Sequence, residues 1–305
     1  MLLISDFAGD RQTIGAAIGQ GWAVLGAVIV AGYTQCFGAA YKSLPWFMAM
    51  LSAFSAVSIG AACYVAKEIP VKRTKERQSC CQNVTSSLGK ILSAVRSLPN
   101  VLVVYCVVTF FIQFAYAAYN GNKGMFFGLE VFDGDATNAA TCDTECSEAQ
   151  RYYSRGVQVA GGVADILFCV VGYLYSWLLP PLVRCYGVQL IMTLATILQV
   201  LLMAMAFCNV VAIDVAIAAL TAVTSGTFFA LIVPLIIHVN GHTTDIGVYV
   251  GLLTAVNSAG QLLNSIVGSA IVETAMGFRL PVFVGGVVSL LAFFCIFFRI
   301  KMNAM

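Results

Sequence analysis

Eight stretches of this chain, near residues 13–35, 45–66, 99–119, 155–179, 186–208, 211–238, 246–272 and 279–300, are each long and apolar enough to cross a bilayer. A hydrocarbon core about 30 Å thick takes roughly 20 mostly apolar residues as helix. Lipid offers no hydrogen bonds to the backbone, so a segment of that length must satisfy its N–H and C=O groups internally. The fold class expected is an all-α polytopic membrane protein of about eight transmembrane helices. Composition excludes a water-soluble core: of 305 residues, 60% are hydrophobic and 10% charged, against about 25% charged in an ordinary soluble domain. A net charge of +2 with no basic helix face gives nucleic acid nothing to bind. The lipid bilayer is the partner that composition demands.

The opening Met1-Leu2-Leu3-Ile4-Ser5-Asp6 has no basic region ahead of an apolar run, so the first span is expected to do the targeting. Among eleven cysteines, Cys36, Cys63, Cys106, Cys169, Cys208 and Cys295 lie singly in or beside spans, where cysteine acts as a small hydrophobe. Cys142 and Cys146 stand apart, in the polar string Thr141-Cys142-Asp143-Thr144-Glu145-Cys146. They pair as a disulfide if that loop faces an oxidising space and remain free thiols otherwise. Lys67, Lys72, Arg73, Lys75, Arg77, Lys90 and Arg96 lie between the second and third spans, and Arg299 and Lys301 follow the last. The positive-inside rule makes those segments and both termini cytoplasmic, in a multi-pass protein expected at the plasma membrane. The acidic loop 120–152 then faces outward. The sequon Asn83-Val84-Thr85 lies on the cytosolic side, where no sugar is added.

Polar residues inside the spans are the candidates for function. Asp165 falls about ten positions into the fourth span and is expected near the bilayer midplane, where a charge costs about 2.5–3.5 kcal/mol. It must be protonated, paired with a base, or turned into a watery cavity. Gln158, Gly161, Asp165, Cys169 and Gly172 recur at three or four residues, which predicts one polar, small-residue stripe on an α-helix facing such a cavity. The same spacing serves a structural Asp that bonds a neighbouring helix. Arg155 opens this span and either meets a solute or snorkels to the interface. Gln113, Tyr116 and Tyr119 in the third span, with Asn257, Gln261 and Asn264 in the seventh, add neutral hydrogen-bonding groups at helical spacing. Neutral amides and aromatic rings suit a sugar, whose hydroxyls both donate and accept, although Asn and Gln also join helices. Asp214, Glu273 and Arg279 sit near span ends and read as hydrated interface charges. Pro234 lies inside the sixth span and predicts a helix kink. His238 and His242 are interface residues without a third metal ligand, so no metal or other cofactor is expected. No nucleophile–base pair appears in the spans, so an enzyme is not expected.

Several strings carry a family resemblance. Asp6-Phe7-Ala8-Gly9 precedes a span holding Gly26 and Gly32-Tyr33. Phe126-Phe127-Gly128-Leu129-Glu130-Val131-Phe132 is followed by Gly134-Asp135, and Tyr153-Ser154-Arg155-Gly156-Val157 opens the fourth span. Pro234, then Gly247, Gly251, Gln261 and Ser265, then Leu280-Pro281-Val282-Phe283 continue in order. The pattern resembles the sucrose/proton symporters and their relatives in the glycoside–pentoside–hexuronide branch of the major facilitator superfamily. These strings are similar to the family's fourth-to-fifth helix junction, the outer loop after helix seven, and helices eight, ten and eleven.

The resemblance implies a major facilitator type helix bundle: twelve helices in two halves, a substrate cavity between them, and inward sugar movement driven by a proton. It aligns the first span here with the family's helix five. Residues 1–66 are then two helices of the N-terminal half, 67–98 a cytoplasmic linker, and 99–305 the six-helix C-terminal half. The chain is expected to be a fragment or truncated product, or to need a partner chain that supplies the missing helices. Where the family carries an acidic pair before its aromatic-aromatic-Gly string, this chain has Lys123-Gly124-Met125, and the second arginine of the helix-eight motif is Gln158. Asp165 is expected to stand in for the lost carboxylate. The function expected is sugar and proton symport; the alternatives are an uncoupled permease for another small polar solute and a non-transporting membrane scaffold.

Overall fold

The computed structural model describes residues 12–38, 43–65, 89, 95–96, 98–139, 142, 146–240 and 246–299. The sequon, most of the linker 67–98, the Asp6-Phe7-Ala8-Gly9 string and His242 lie outside the described residues. Nine longer helices organise what is described: α1 Gln12–Phe37, α2 Leu44–Val65, α3 Asn100–Asn120, α4 Glu148–Gln158, α5 Asp165–Tyr186, α6 Val188–Val200, α7 Val211–Asn240, α8 Ile246–Val272 and α9 Arg279–Arg299, with short helices at Lys123–Met125 and Leu202–Met205. No strand occurs among the described residues, and eight helical runs are long and apolar enough to cross a membrane. The chain is an all-α polytopic membrane protein.

Helix α3 is the hub of one side, packed along α8 and α9, while α1 packs along α5 and α7 on the other. Polar groups tie the apolar helices together where nothing else in lipid satisfies them. Tyr105 Oη on α3 donates to the Phe228 carbonyl on α7 at 2.5 Å, and Gln199 Nε2 on α6 donates to the Ile112 carbonyl at 3.0 Å. Thr224 on α7 donates to the Ala195 carbonyl on α6. Leu174, Trp177 and Leu178 on α5, Leu190 and Leu194 on α6, and Phe297 and Phe298 on α9 point outward and exposed. Such a surface is unfavourable in water and natural against acyl chains. Helix α2 has none of its apolar window buried, and Tyr33 reaches it through Ser43, at 2.8 Å, and the Phe47 ring.

The fourth span departs from expectation. Helix α4, a six-residue π-helical turn Val159–Ala164 and α5 form one run of 39 residues, Glu148–Tyr186. At 1.5 Å per residue that is about 58 Å, close to twice the hydrocarbon thickness. Ser147 and Gln150 start it with a reciprocal capping box, so its polar first turns stand beyond the apolar slab. The opposite end stops at Gly187, whose φ of 79° makes the tight turn into α6. Counting about 20 residues back from that turn brings the other lipid boundary close to Asp165.

The described part of loop 120–152 is also built rather than open. A one-turn helix Lys123–Met125 leads into a π-helical turn Phe126–Val131, whose Phe126, Phe127 and Gly128 are buried against α4. Asp135 accepts from the Thr137 N–H at 2.8 Å, which holds its carboxyl below the usual value. The turn is therefore supported at neutral pH and loses that support as pH falls through the lowered value. Cys142 and Cys146 are joined as a disulfide. Glu130 reaches across to α9: its carboxylate accepts from Arg279 Nε at 3.0 Å and from the Phe278 N–H at 3.1 Å. Arg279 is thus an ion-paired clamp on the loop, not the hydrated interface charge expected from its position. Glu130→Gln keeps the size and removes the charge. It should lower stability by about 1 kcal/mol, since the pair is partly exposed, read as a thermal-unfolding shift in detergent.

Candidate functional site

Between α3 and α8, at the end of the bundle that carries loop 120–152, lies a cavity of about 370 Å³. Its walls come from Tyr116, Asn120 and Asn122 on one side and from Gln261, Asn264, Ser265 and Ser269 on the other. The two helices meet closely because Gly260 lets α8 rest on the α3 backbone: a Cβ there would stand 2.6 Å from the Phe110 carbonyl oxygen. Asn264 is 5% exposed. Gln261 Nε2 donates to Gln113 Oε1 and to Asn257 Oδ1, both at 3.2 Å, so three amides from two helices form one relay at the cavity edge. Every polar side chain lining the cavity is neutral. Such a wall offers donors and acceptors in comparable number and no fixed charge to select an ion.

Beside this cavity stands the shorter of the two ion pairs found among the described residues. Lys123 Nζ donates to both carboxylate oxygens of Asp165, at 2.5 and 2.6 Å. The side chains are 18% and 30% exposed. Of the three outcomes open to Asp165, pairing with a base is the one found. Since Lys123 follows directly on α3, Asp165 lies level with the loop end of that helix, not at the midplane as its position in the sequence suggested. Tyr116 links pair and cavity: it lines the cavity and its ring packs 6.1 Å from Phe168, three residues past Asp165.

The stripe expected through Asp165 does not face a cavity. Gln158 Nε2 donates to the Gln35 carbonyl at 3.0 Å, Gly161 packs on Thr34, and Gly172 packs on Val24, all on α1. The reason is the π-helical turn at Val159–Ala164. A wider turn breaks the three-or-four spacing of Gln158 and Gly161 with Asp165 that a regular α-helix requires, so those two seal a helix contact while Asp165 turns toward Lys123; Cys169, beyond the turn, stays near that pair. Arg155 is exposed and is not among the cavity residues. Pro234 is buried in α7, and the helix runs on through it to Asn240. His238 and Glu273 are exposed.

Asp214 was misjudged by position. It lies in the first turn of α7, where an acid ordinarily faces water, yet it is 0% exposed. The Cys208 thiol is the one hydrogen-bonding group placed beside its carboxyl, and no other partner reaches either oxygen among the described residues. The helix N-terminus favours an anion by about 0.3–1 kcal/mol, but burying an uncompensated charge costs several. Sequence spacing offered no sign of this, because the apolar cluster that its neighbour Val215 joins draws on Phe126 and Phe127, far earlier in the chain.

Comparison with protein-family models finds no match for this chain, and comparison with curated proteins finds none. The class rests on architecture: a multi-pass, apolar helical bundle, a build compatible with a membrane transporter.

Proposed function

We propose that the chain belongs to a transporter for a small neutral polyhydroxyl solute, a sugar or glycoside, working by alternating access and drawing on a proton. The observation that carries the reading is the cavity between α3 and α8, with its uncharged amide, hydroxyl and tyrosine lining. Its volume falls within the roughly 300–1,000 Å³ usual for ligand pockets. Support also comes from α8, whose Ser258, Gln261, Ser265 and Ser269 are exposed along a membrane-spanning helix. A polar face at that depth is favourable against a watery path and unfavourable against acyl chains. The resemblance to sugar/proton symporters points the same way, and in that family a second set of helices would close the path. The disulfide in loop 120–152 supports placing that loop outside the cell, with the termini in the cytosol.

One proton moving down 100 mV supplies about 2.3 kcal/mol, enough for roughly 50-fold accumulation of a neutral sugar. Uptake of a labelled disaccharide into reconstituted vesicles at two external pH values tests the reading. Uptake should be faster at the lower pH and be accompanied by proton entry. Equal uptake at both values would favour an uncoupled permease, a reading that the neutralised Lys123–Asp165 pair supports. Gln261→Leu removes the centre of the amide relay and one cavity wall. It should reduce uptake about tenfold, equivalent to about 1.4 kcal/mol.

A further inference from the structure

The Lys123–Asp165 pair leaves a buried acid of the bundle, Asp214, unexplained. Asp214 is fully enclosed, and apart from the neighbouring Cys208 thiol its oxygens have no partner among the described residues. Its chain neighbour Val215 belongs to an apolar cluster that holds Phe126 and Phe127 from the loop, Ala160 and Ala164 from the π-helical turn, and Leu202 and Met205 ahead of α7. The titratable groups near it are the Cys208 thiol and the Tyr119 hydroxyl of α3, which lies within electrostatic range of Asp165 as well. Lys123 is committed to Asp165. No Lys, Arg or His pairs with Asp214 among the described residues.

We propose that Asp214 is a proton-binding site: it holds its proton while the loop end of the bundle is closed around it and releases it when that end admits water. A carboxyl fixed in a salt bridge is poorly placed to gain and lose a proton, because its charged form already has a partner. A carboxyl without one changes state whenever its surroundings change from apolar to wet. Helix α7 packs against the π-helical turn Val159–Ala164 and the short helix Leu202–Met205, and these are the segments whose parting would let water reach Asp214. Use of this proton to drive solute movement rests on the transport reading above; the binding of the proton does not.

The test is labelling of the full chain in membranes with N,N′-dicyclohexylcarbodiimide, read by peptide mass spectrometry. The carboxylic acid passes its proton to one carbodiimide nitrogen, its oxygen bonds to the central carbon, and acyl transfer to nitrogen gives a stable adduct. Only the acid form reacts in this way. The adduct should appear on Asp214 and fall about tenfold per pH unit once the pH passes its titration point. Asp165 should label weakly in the native chain and gain label in Lys123→Met. Asp214→Asn mimics the neutral acid in size and polarity, so it should elute as a folded bundle and lose the adduct. Labelling of Asp214 that does not change with pH, or Asp165 as the main labelled residue in the native chain, would overturn the proposal. If Asp214 labels as expected while vesicles take up no sugar, the transport reading fails and the proton site stands.

Discussion

Lys123→Met is expected to destabilise the bundle by about 2 kcal/mol, and Lys123→Met/Asp165→Asn to recover most of that loss. Removing one member of a fully buried ion pair costs about 3–5 kcal/mol, because the other charge stays behind unpaired. Here the side chains are 18% and 30% exposed, which brings the figure down. The variant that strands the acid should be the worse of the two single changes. In Asp165→Asn, Lys123 keeps a flexible stem that carries its ammonium toward water. Thermal unfolding of the four proteins in detergent completes the cycle. Additive effects of the two changes would mean that the pair is not coupled and that Asp165 has another role.

Gly156→Ala should be strongly damaging for a single added methyl, with a loss of about 3 kcal/mol. A Cβ at that position would lie 2.6 Å from the Phe127 carbonyl oxygen and 2.7 Å from Gly128 Cα. Both are backbone atoms and neither swings aside. The damage should extend to the site, because Phe127 and Lys123 belong to the same short segment and α4 would push it away from Asp165. Gly251→Ala is the matching control. Nothing lies within 4 Å of a Cβ there, so the change should be neutral or stabilise α8 by about 0.5–1 kcal/mol. Expression level and size-exclusion profiles of the two variants check the contrast.

That contrast also shows how far the sequence could be read. Both glycines occur in strings that resemble a transporter family, yet one is held by a backbone contact and the other touches nothing. Spacing along a chain carries no distance to a partner far away in sequence. The eight spans were legible because length and apolarity are local properties. The start of the fourth was not, because α4 is polar and projects past the slab that an apolar run defines. The relay from Gln113 to Gln261 was half legible: each residue stood out as a polar group in a span, but the bond crosses 148 positions. Lys123 was noted as a departure from the family string without any sign of its partner, 42 residues on. The Gln158–Asp165 stripe failed for a different reason: a π-helical turn changes the period on which helical-face arguments depend.

Equilibrium binding of a labelled disaccharide to the purified chain, with Asn264→Leu beside it, tests the central claim most directly. Asn264 lines the cavity, is almost enclosed, and is exchanged for an apolar side chain of similar size. The account predicts saturable binding that excess unlabelled sugar displaces, weakened about tenfold or more in the variant. Saturable binding of equal strength in both proteins, or none in either, would contradict a sugar site between α3 and α8.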